Sequence, residues 1–257
     1  MTVRKLQQKR GWAFALGVAI VKPLLLLTTR RDWRGGENIP ATGGFILVLN
    51  HISHLDPFMA AHIVYDHGRM PRYLAKSGLF KNKLLGFFLR SAGQIPVERL
   101  SKNAAGAYDA AVAAVRAGEC VVVYPEGTIT RDPAGWPMVG KSGAARIALE
   151  TGCPVVPVGQ WGAQALLAPY AKKPDLFPPK PIRMAVGAPI DLSDLAAQPR
   201  SAATIAQATD RIMTAIKGLV EDVRGEPAPA ELFDPKKAGV NEIGNPHRKN
   251  IPGEDPT

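Results

Sequence analysis

Short continuous runs of apolar residues constrain this chain more than any other feature. Phe45-Ile46-Leu47-Val48-Leu49 is apolar at every position, residues 120–124 and 154–158 carry similar runs, and residues 182–186 form a fourth candidate. Unbroken apolar character at strand length predicts strands buried on both faces, as in a parallel sheet covered by helices. The intervening segments supply those helices. Asp56 followed by Pro57 predicts a helix start, with Asp56 as N-cap, running to about Tyr65. Residues 79–89 read as a strongly apolar helix, residues 104–117 as an alanine-rich helix stopped by Gly118, and residues 143–150 as a further one. Ile205, Ile212, Ile216 and Leu219 set the helical period of residues 202–223. Residues 72–76 are a short strand candidate, and Pro96 makes residues 94–97 extended. The expected fold class is α/β, with a central, largely parallel sheet flanked by helices.

Ahead of that domain, Arg4, Lys5, Lys9 and Arg10 precede an apolar stretch over residues 11–29. The layout is that of a signal peptide, but Thr29-Arg30-Arg31-Asp32 offers no small-residue cleavage site. Lys22 and Pro23 interrupt the stretch, whereas a spanning helix needs about 20 apolar residues. Basic flanks, Trp12 and Trp33 favour one or two short helices lying in the membrane interface, with a single span and a core helix as alternatives. Arg30, Arg31 and Arg34 extend the basic collar. The resulting division is residues 1–34 as a membrane-anchoring helical segment, 35–224 as the α/β domain and 225–257 as a Pro/Gly-rich tail.

The 257 residues carry a formal net charge of +10, which asks for an anionic partner. Basic residues cluster beside the apolar stretch, and no basic run interleaves with aromatics. An anionic membrane surface is therefore expected and nucleic acid is not. Cys120 and Cys153 sit in apolar runs without metal or disulfide spacing, which suits a reducing compartment.

Three motifs carry chemistry. Asn50-His51-Ile52-Ser53-His54-Leu55-Asp56-Pro57 follows the first apolar run directly. A histidine at a strand end with an aspartate five residues on can form a base whose tautomer the carboxylate fixes. The same residues admit a purely structural cap at Asp56, or metal ligation by His51, His54 and Asp56, although no further ligands cluster with them. Gly93-Gln94-Ile95-Pro96-Val97-Glu98-Arg99 delivers Arg99 into a loop, where a guanidinium suits phosphate or plain solvation. Tyr124-Pro125-Glu126-Gly127-Thr128 follows the second run, at the strand end where α/β sheets bind ligands. Glu126 there can accept a hydroxyl or orient the site, and Gly127 lets backbone approach a substrate. Arg131 and Lys141 are further candidate phosphate contacts.

Together these blocks, with Val155-Val156-Pro157-Val158, resemble the glycerolipid acyltransferase family, and in particular bacterial 1-acylglycerol-3-phosphate acyltransferases. The resemblance spans about residues 39–187. It implies that His51 is the base, that Asp56 orients it, and that Arg99, Lys141 and Arg131 hold the acceptor phosphate. Glu126, Gly127 and Thr128 would shape the acceptor site. It also implies an acyl-CoA or acyl-carrier-protein donor as co-substrate, a lysophospholipid acceptor, no bound cofactor or metal, and residence on the cytoplasmic face of the cell membrane as a peripheral or monotopic protein. Three positions depart from the family pattern: Ile-Pro-Val-Glu-Arg in the second block, Tyr124 for phenylalanine, and Ile129 where many members carry arginine. Acylation of a glycolipid such as a phosphatidylinositol mannoside, and non-catalytic lipid binding on the same fold, are the alternatives. Intact His51, Asp56 and Glu126 speak against the second.

Overall fold

The structure, a computed structural model, describes residues 3–6, 11–97 and 104–241. Its strands are β1 (Thr29–Arg34), β2 (Phe45–Leu49), β3 (Pro71–Lys76), β4 (Ile95–Val97), β5 (Cys120–Val123), β6 (Val155–Trp161) and β7 (Lys180–Val186). The helices are α1 (Trp12–Thr28), α2 (Asp56–Asp66), α3 (Lys83–Ser91), α4 (Ala104–Arg116), α5 (Gly143–Thr151), the short α6 (Ala163–Leu166) and α7 (Ser193–Ala196), and α8 (Ala202–Arg224). One sheet runs in the order β1-β7-β6-β2-β5-β3-β4. The five strands from β6 to β4 are mutually parallel, while β7 is antiparallel to β6 and β1 parallel to β7.

The alternation of side chains along β2 divides the core. Phe45, Leu47 and Leu49 face the layer that holds Met59, Ala60 and Ile63 of α2. Ile46 and Val48 face the opposite layer, with Ala111, Ala145, Ile212 and Ile216 from α4, α5 and α8. A strand that must be apolar toward both layers has no polar position to spare, which is why it reads as a continuous run. Pro157, inside central β6, is tolerated because its carbonyl accepts from Gly187 N (2.9 Å). A residue's N–H and C=O point to the same side of a strand, so the missing donor faces the end of β7 rather than β2.

The sequence reading is corrected at the N-terminal boundary. Residues 29–34, the end of the expected 1–34 anchoring segment, form β1, an edge strand registered on β7. Such a strand pairs on one side only and keeps most of its side chains exposed, so it carries no apolar run to betray it. Two collar charges are also engaged: Arg34 pairs with Asp222 and Arg31 lies 3.6 Å from Asp66. At the other end, residues 225–241 lie against the domain, with Ala228 and Leu232 packed on the core and Val139 N donating to Phe233 O (2.9 Å).

Among the described residues no helix is long and apolar enough to cross a membrane. Lys22, the charge that interrupts α1, reaches Asp66 at the end of α2 (2.5 Å) and lies over the Tyr65 ring. Phe14 meets Tyr65 from the same helix, with ring centroids 5.9 Å apart. Burial opposes ionisation of Asp66, but hydrogen bonds from His62 and Lys22 outweigh it and hold the carboxyl down at about 2. A carboxyl depressed in the folded state adds stability above its unfolded pKa of about 4, and that stability is lost as pH falls through the folded value. Asp66→Asn should therefore cost about 1–3 kcal/mol in urea unfolding at neutral pH. The deficit relative to wild type should shrink between pH of about 4 and 2. Equal stability across that range would show that the cluster does not hold α1.

Candidate active site

Three parallel neighbours, β6, β2 and β5, end side by side, in register through Leu49 with Val158 and Val48 with Val123. Their carboxyl ends deliver Gln160, Asn50-His51 and Tyr124-Pro125-Glu126 to one edge. Asn50 and Gln160 are buried and lock to each other. Asn50 Nδ2 donates to Gln160 O (3.0 Å), Gln160 N to Asn50 Oδ1 (2.9 Å), and Gln160 Nε2 to Asn50 O (2.7 Å). His51 is clamped on both sides of its own peptide. Its N–H donates to Glu126 Oε1 (2.8 Å), and its carbonyl accepts from Thr130 N (2.8 Å).

The His51 ring points its Nδ1 at Asp56 Oδ2 (2.8 Å) and packs over Tyr124, with centroids 4.5 Å apart. The same buried Oδ2 accepts Ile52 N (2.6 Å) and Ser53 N (2.8 Å). A carboxylate oxygen facing Nδ1 fixes the tautomer with the proton there, leaving Nε2 as the acceptor. The expected N-cap role of Asp56 is corrected here. Leu55 is the cap residue, with no side-chain cap bond, because the Asp56 carboxylate is folded back onto the loop that precedes the helix. The geometry is that of a histidine base held by an aspartate, with the ring partly exposed where β2 ends.

Glu126 is buried, with both carboxylate oxygens turned to backbone amides. Its Oε1 takes His51 N, and its Oε2 takes Met138 N (3.1 Å), so it ties two loops together beneath the histidine. Burial, helped by the nearby Asp56 charge and opposed by those two amides and Thr130, pushes its carboxyl up to about 8. Of the two roles read for it, orienting the site fits this placement and accepting a hydroxyl does not. Gly127 has φ +74°, and the Lys141 chain runs across its open face, 3.2–3.5 Å from where a Cβ would stand. A side chain there would meet that lysine in a backbone conformation that disfavours any Cβ.

Arg131 is buried, and its Nη1 donates to the Tyr170 hydroxyl; Thr128 Oγ1 lies 3.4 Å from the same oxygen. The Tyr170 ring meets His54 edge-on at 5.5 Å. Burial lowers the His54 pKa, the neighbouring His51 lowers it further, and Asp56 opposes both. The sequence reading passed over Tyr170 and Gln160. Gln160 had a signal, a polar residue within a strand's apolar run. Tyr170 had none, since it sits in an irregular excursion between β6 and β7 with φ +60°. Ser53 Oγ ties that excursion to the histidine loop by donating to Leu167 O (2.7 Å). Arg99 lies outside the described residues. Among the described residues, no three His, Cys, Asp or Glu side chains converge as a metal cage.

A model of the family described as Acyltransferase matches residues 30–161. The 1-acyl-sn-glycerol-3-phosphate acyltransferase of Bacillus subtilis is 30% identical over 186 residues, 71% of this chain and 84% of that protein. The protein of the same name from Borreliella burgdorferi is 34% identical over 125 residues, 48% of each chain. The crystal structure of the 1-acyl-sn-glycerophosphate acyltransferase PlsC from Thermotoga maritima shares the fold, with a TM-score of 0.58, 24% identity and 82% coverage of both chains.

Glu126→Gln keeps the shape but replaces one acceptor oxygen with an amide, so one of the two backbone N–H groups loses its partner. It should destabilise the domain by about 1–3 kcal/mol at low pH. A carboxyl raised in the folded state loses stability as pH rises from its unfolded value to its folded one, here from about 4 to about 8. The gap between wild type and variant should therefore narrow across that interval in denaturant titrations. A gap that stays constant across the interval would show that Glu126 is ionised throughout.

Proposed function

This chain belongs to the acyltransferase family, and we propose that it transfers a fatty acyl group from acyl-CoA or acyl-carrier protein to the free hydroxyl of 1-acylglycerol 3-phosphate (lysophosphatidic acid), giving phosphatidic acid for phospholipid biosynthesis. The observation that carries this is the His51–Asp56 pair, clamped at the carboxyl edge of three parallel strands with Nε2 left as acceptor. His51 Nε2 takes the proton from the acceptor hydroxyl as its oxygen bonds to the thioester carbonyl carbon. The oxyanion so formed collapses, the C–S bond breaks, and the departing thiolate recovers the proton from His51. A thioester brings its own leaving group, so the reaction needs no resident cofactor or metal, and Asp56 stabilises the transient imidazolium.

The phosphate of the acceptor is assigned to Arg131 and Lys141, which flank Gly127 and Thr128, with Arg99 as a further contact. Tyr170 joins this set by holding the Arg131 guanidinium and crossing His54. We place the protein at the cytoplasmic face of the membrane, with α1 lying in the interface.

Removing the base should cost roughly 10²–10⁴-fold in kcat. His51→Ala should show that loss, Asp56→Asn should lose activity through the wrong tautomer, and His54→Ala should keep most activity in a thioester-release assay. An inactive His54→Ala beside an active His51→Ala would reassign the base. Tyr170→Phe should raise the KM for lysophosphatidic acid roughly tenfold by freeing Arg131, with donor KM and kcat little changed. Unchanged acceptor kinetics would place the phosphate away from Arg131.

A further inference from the structure

An ordinary surface helix hides its apolar face, but α1 shows apolar residues on the outside as well. Ala13, Leu25 and Thr28 turn inward, while Trp12, Leu16, Ile20, Leu24 and Leu27 recur every three to four residues along the solvent side. Trp12 is 57% exposed and Ile20 61%. Beside it stands α3, a helix distant in sequence with the same property: Leu84 is 81% exposed, Phe87 56%, and Leu85 also projects outward, as does Leu79 on the turn at Ser77–Phe80 that precedes it. The two helices are one surface. The Trp12 ring lies 5.8 Å from Phe87 and 6.3 Å from Phe88, and Phe88 reaches to 3.7 Å from where a Gly17 Cβ would stand. α3 is also fixed in place. A Cβ on buried Gly86 would stand 2.2 Å from the Phe80 carbonyl oxygen, so only glycine lets the helix close on the turn before it. The exposed leucines and phenylalanine are therefore presented by a packed element.

We propose that α3 and the turn at Ser77–Phe80 join α1 in a single two-helix face that beds into an anionic lipid leaflet. Charge identifies the occupant. Neither residues 11–31 nor residues 71–97 contain a single Asp or Glu, in a chain that has 22. Their charged residues are all basic; Lys22 and Arg31 are engaged by Asp66 and Arg72 by Glu119, while Lys81 and Lys83 stand exposed beside Leu84 and Leu85 at the rim. Apolar side chains ringed by lysine match acyl chains beneath anionic headgroups, each basic residue adding attraction at the surface. A second copy of this face is the poorer fit, because a twofold pairing would set lysine against lysine. The proposal deepens the reading of a lipid acceptor and rests on it only for biological sense; binding is measured without turnover, so each can fail alone.

The test is co-sedimentation of the full chain with vesicles of equal parts phosphatidylglycerol and phosphatidylcholine, and with pure phosphatidylcholine vesicles. Wild type should bind the anionic vesicles more tightly. Leu84→Glu/Phe87→Glu should weaken partitioning by roughly tenfold or more with α1 untouched. The milder Leu84→Ser, with no added charge, should show a smaller loss and guards against misfolding of the double variant. A nitroxide on Leu84→Cys should gain exposure to oxygen and lose exposure to an aqueous nickel reagent when vesicles are added. Undiminished binding by the double variant, or a label that stays in water, would leave α1 as a lone anchor and overturn the proposal. So would a wild-type dimer in light scattering that the double variant converts to monomer while vesicles bind neither.

Discussion

Asp56 Oδ2 faces three donors at once: the His51 ring and the amides of Ile52 and Ser53. A buried carboxylate is costly unless donors meet its charge; Oδ1 is buried with no hydrogen-bond partner among the described residues, so the compensation falls on Oδ2, and its donors are the residues whose geometry the site needs. The loop cannot open without stranding that oxygen, and the ring cannot turn without losing its tautomer. The spacing of the motif follows from this. Donors at 51, 52 and 53 converge on one atom only if the chain bends back within a single turn, and Pro57 starts the helix that fixes the return. Capping would have spent the carboxylate on the helix's own amides; in this loop it is spent on the base.

Glu126 makes the complementary clamp from the neighbouring strand and shows how the same chemical group serves a different end. Asp56 faces three donors, one of them a ring that can carry positive charge. Glu126 faces two neutral amides in full burial, and its carboxyl is pushed up to about 8. Two carboxyls near one histidine thus hold different parts of the site: Asp56 grips the ring and its loop, and Glu126 braces the peptide behind it.

The elements that the sequence revealed are those under two-sided burial. β2 and β5 were visible because every position contacts one layer or the other, and α8 because its inward face repeats at helical period. β1 was not visible, since an edge strand holds its place through backbone pairing, which any side chain permits. Within the site, His51, Asp56 and Glu126 stood out because strand ends are where polar residues must be justified. Tyr170 did not, for its position depends on the course of a loop that no periodicity constrains. Asp56 was legible both as the partner of His51 and as a cap, because Asp-Pro at a helix start is equally the signature of a cap; the structure keeps the first role and not the second.

Net charge could not be read as function by counting, because much of it is structural. Arg69 is buried and donates to the carbonyls of Pro40, Gly43 and Gly118; Arg72 pairs with Glu119; Arg224 lies between Trp136 and Trp161. Even Lys22, which interrupts the apolar stretch of α1, is spent on Asp66. That last pair carries a mechanical consequence. α2 begins at Asp56, under His51, and ends at Asp66, under α1. Its 11 residues span about 16 Å at 1.5 Å each. The chemistry and the apolar face are thus the two ends of one short rigid rod, with carboxylates as the fasteners at both. A helix buried in the core fixes the distance between His51 and that face more firmly than a loop could.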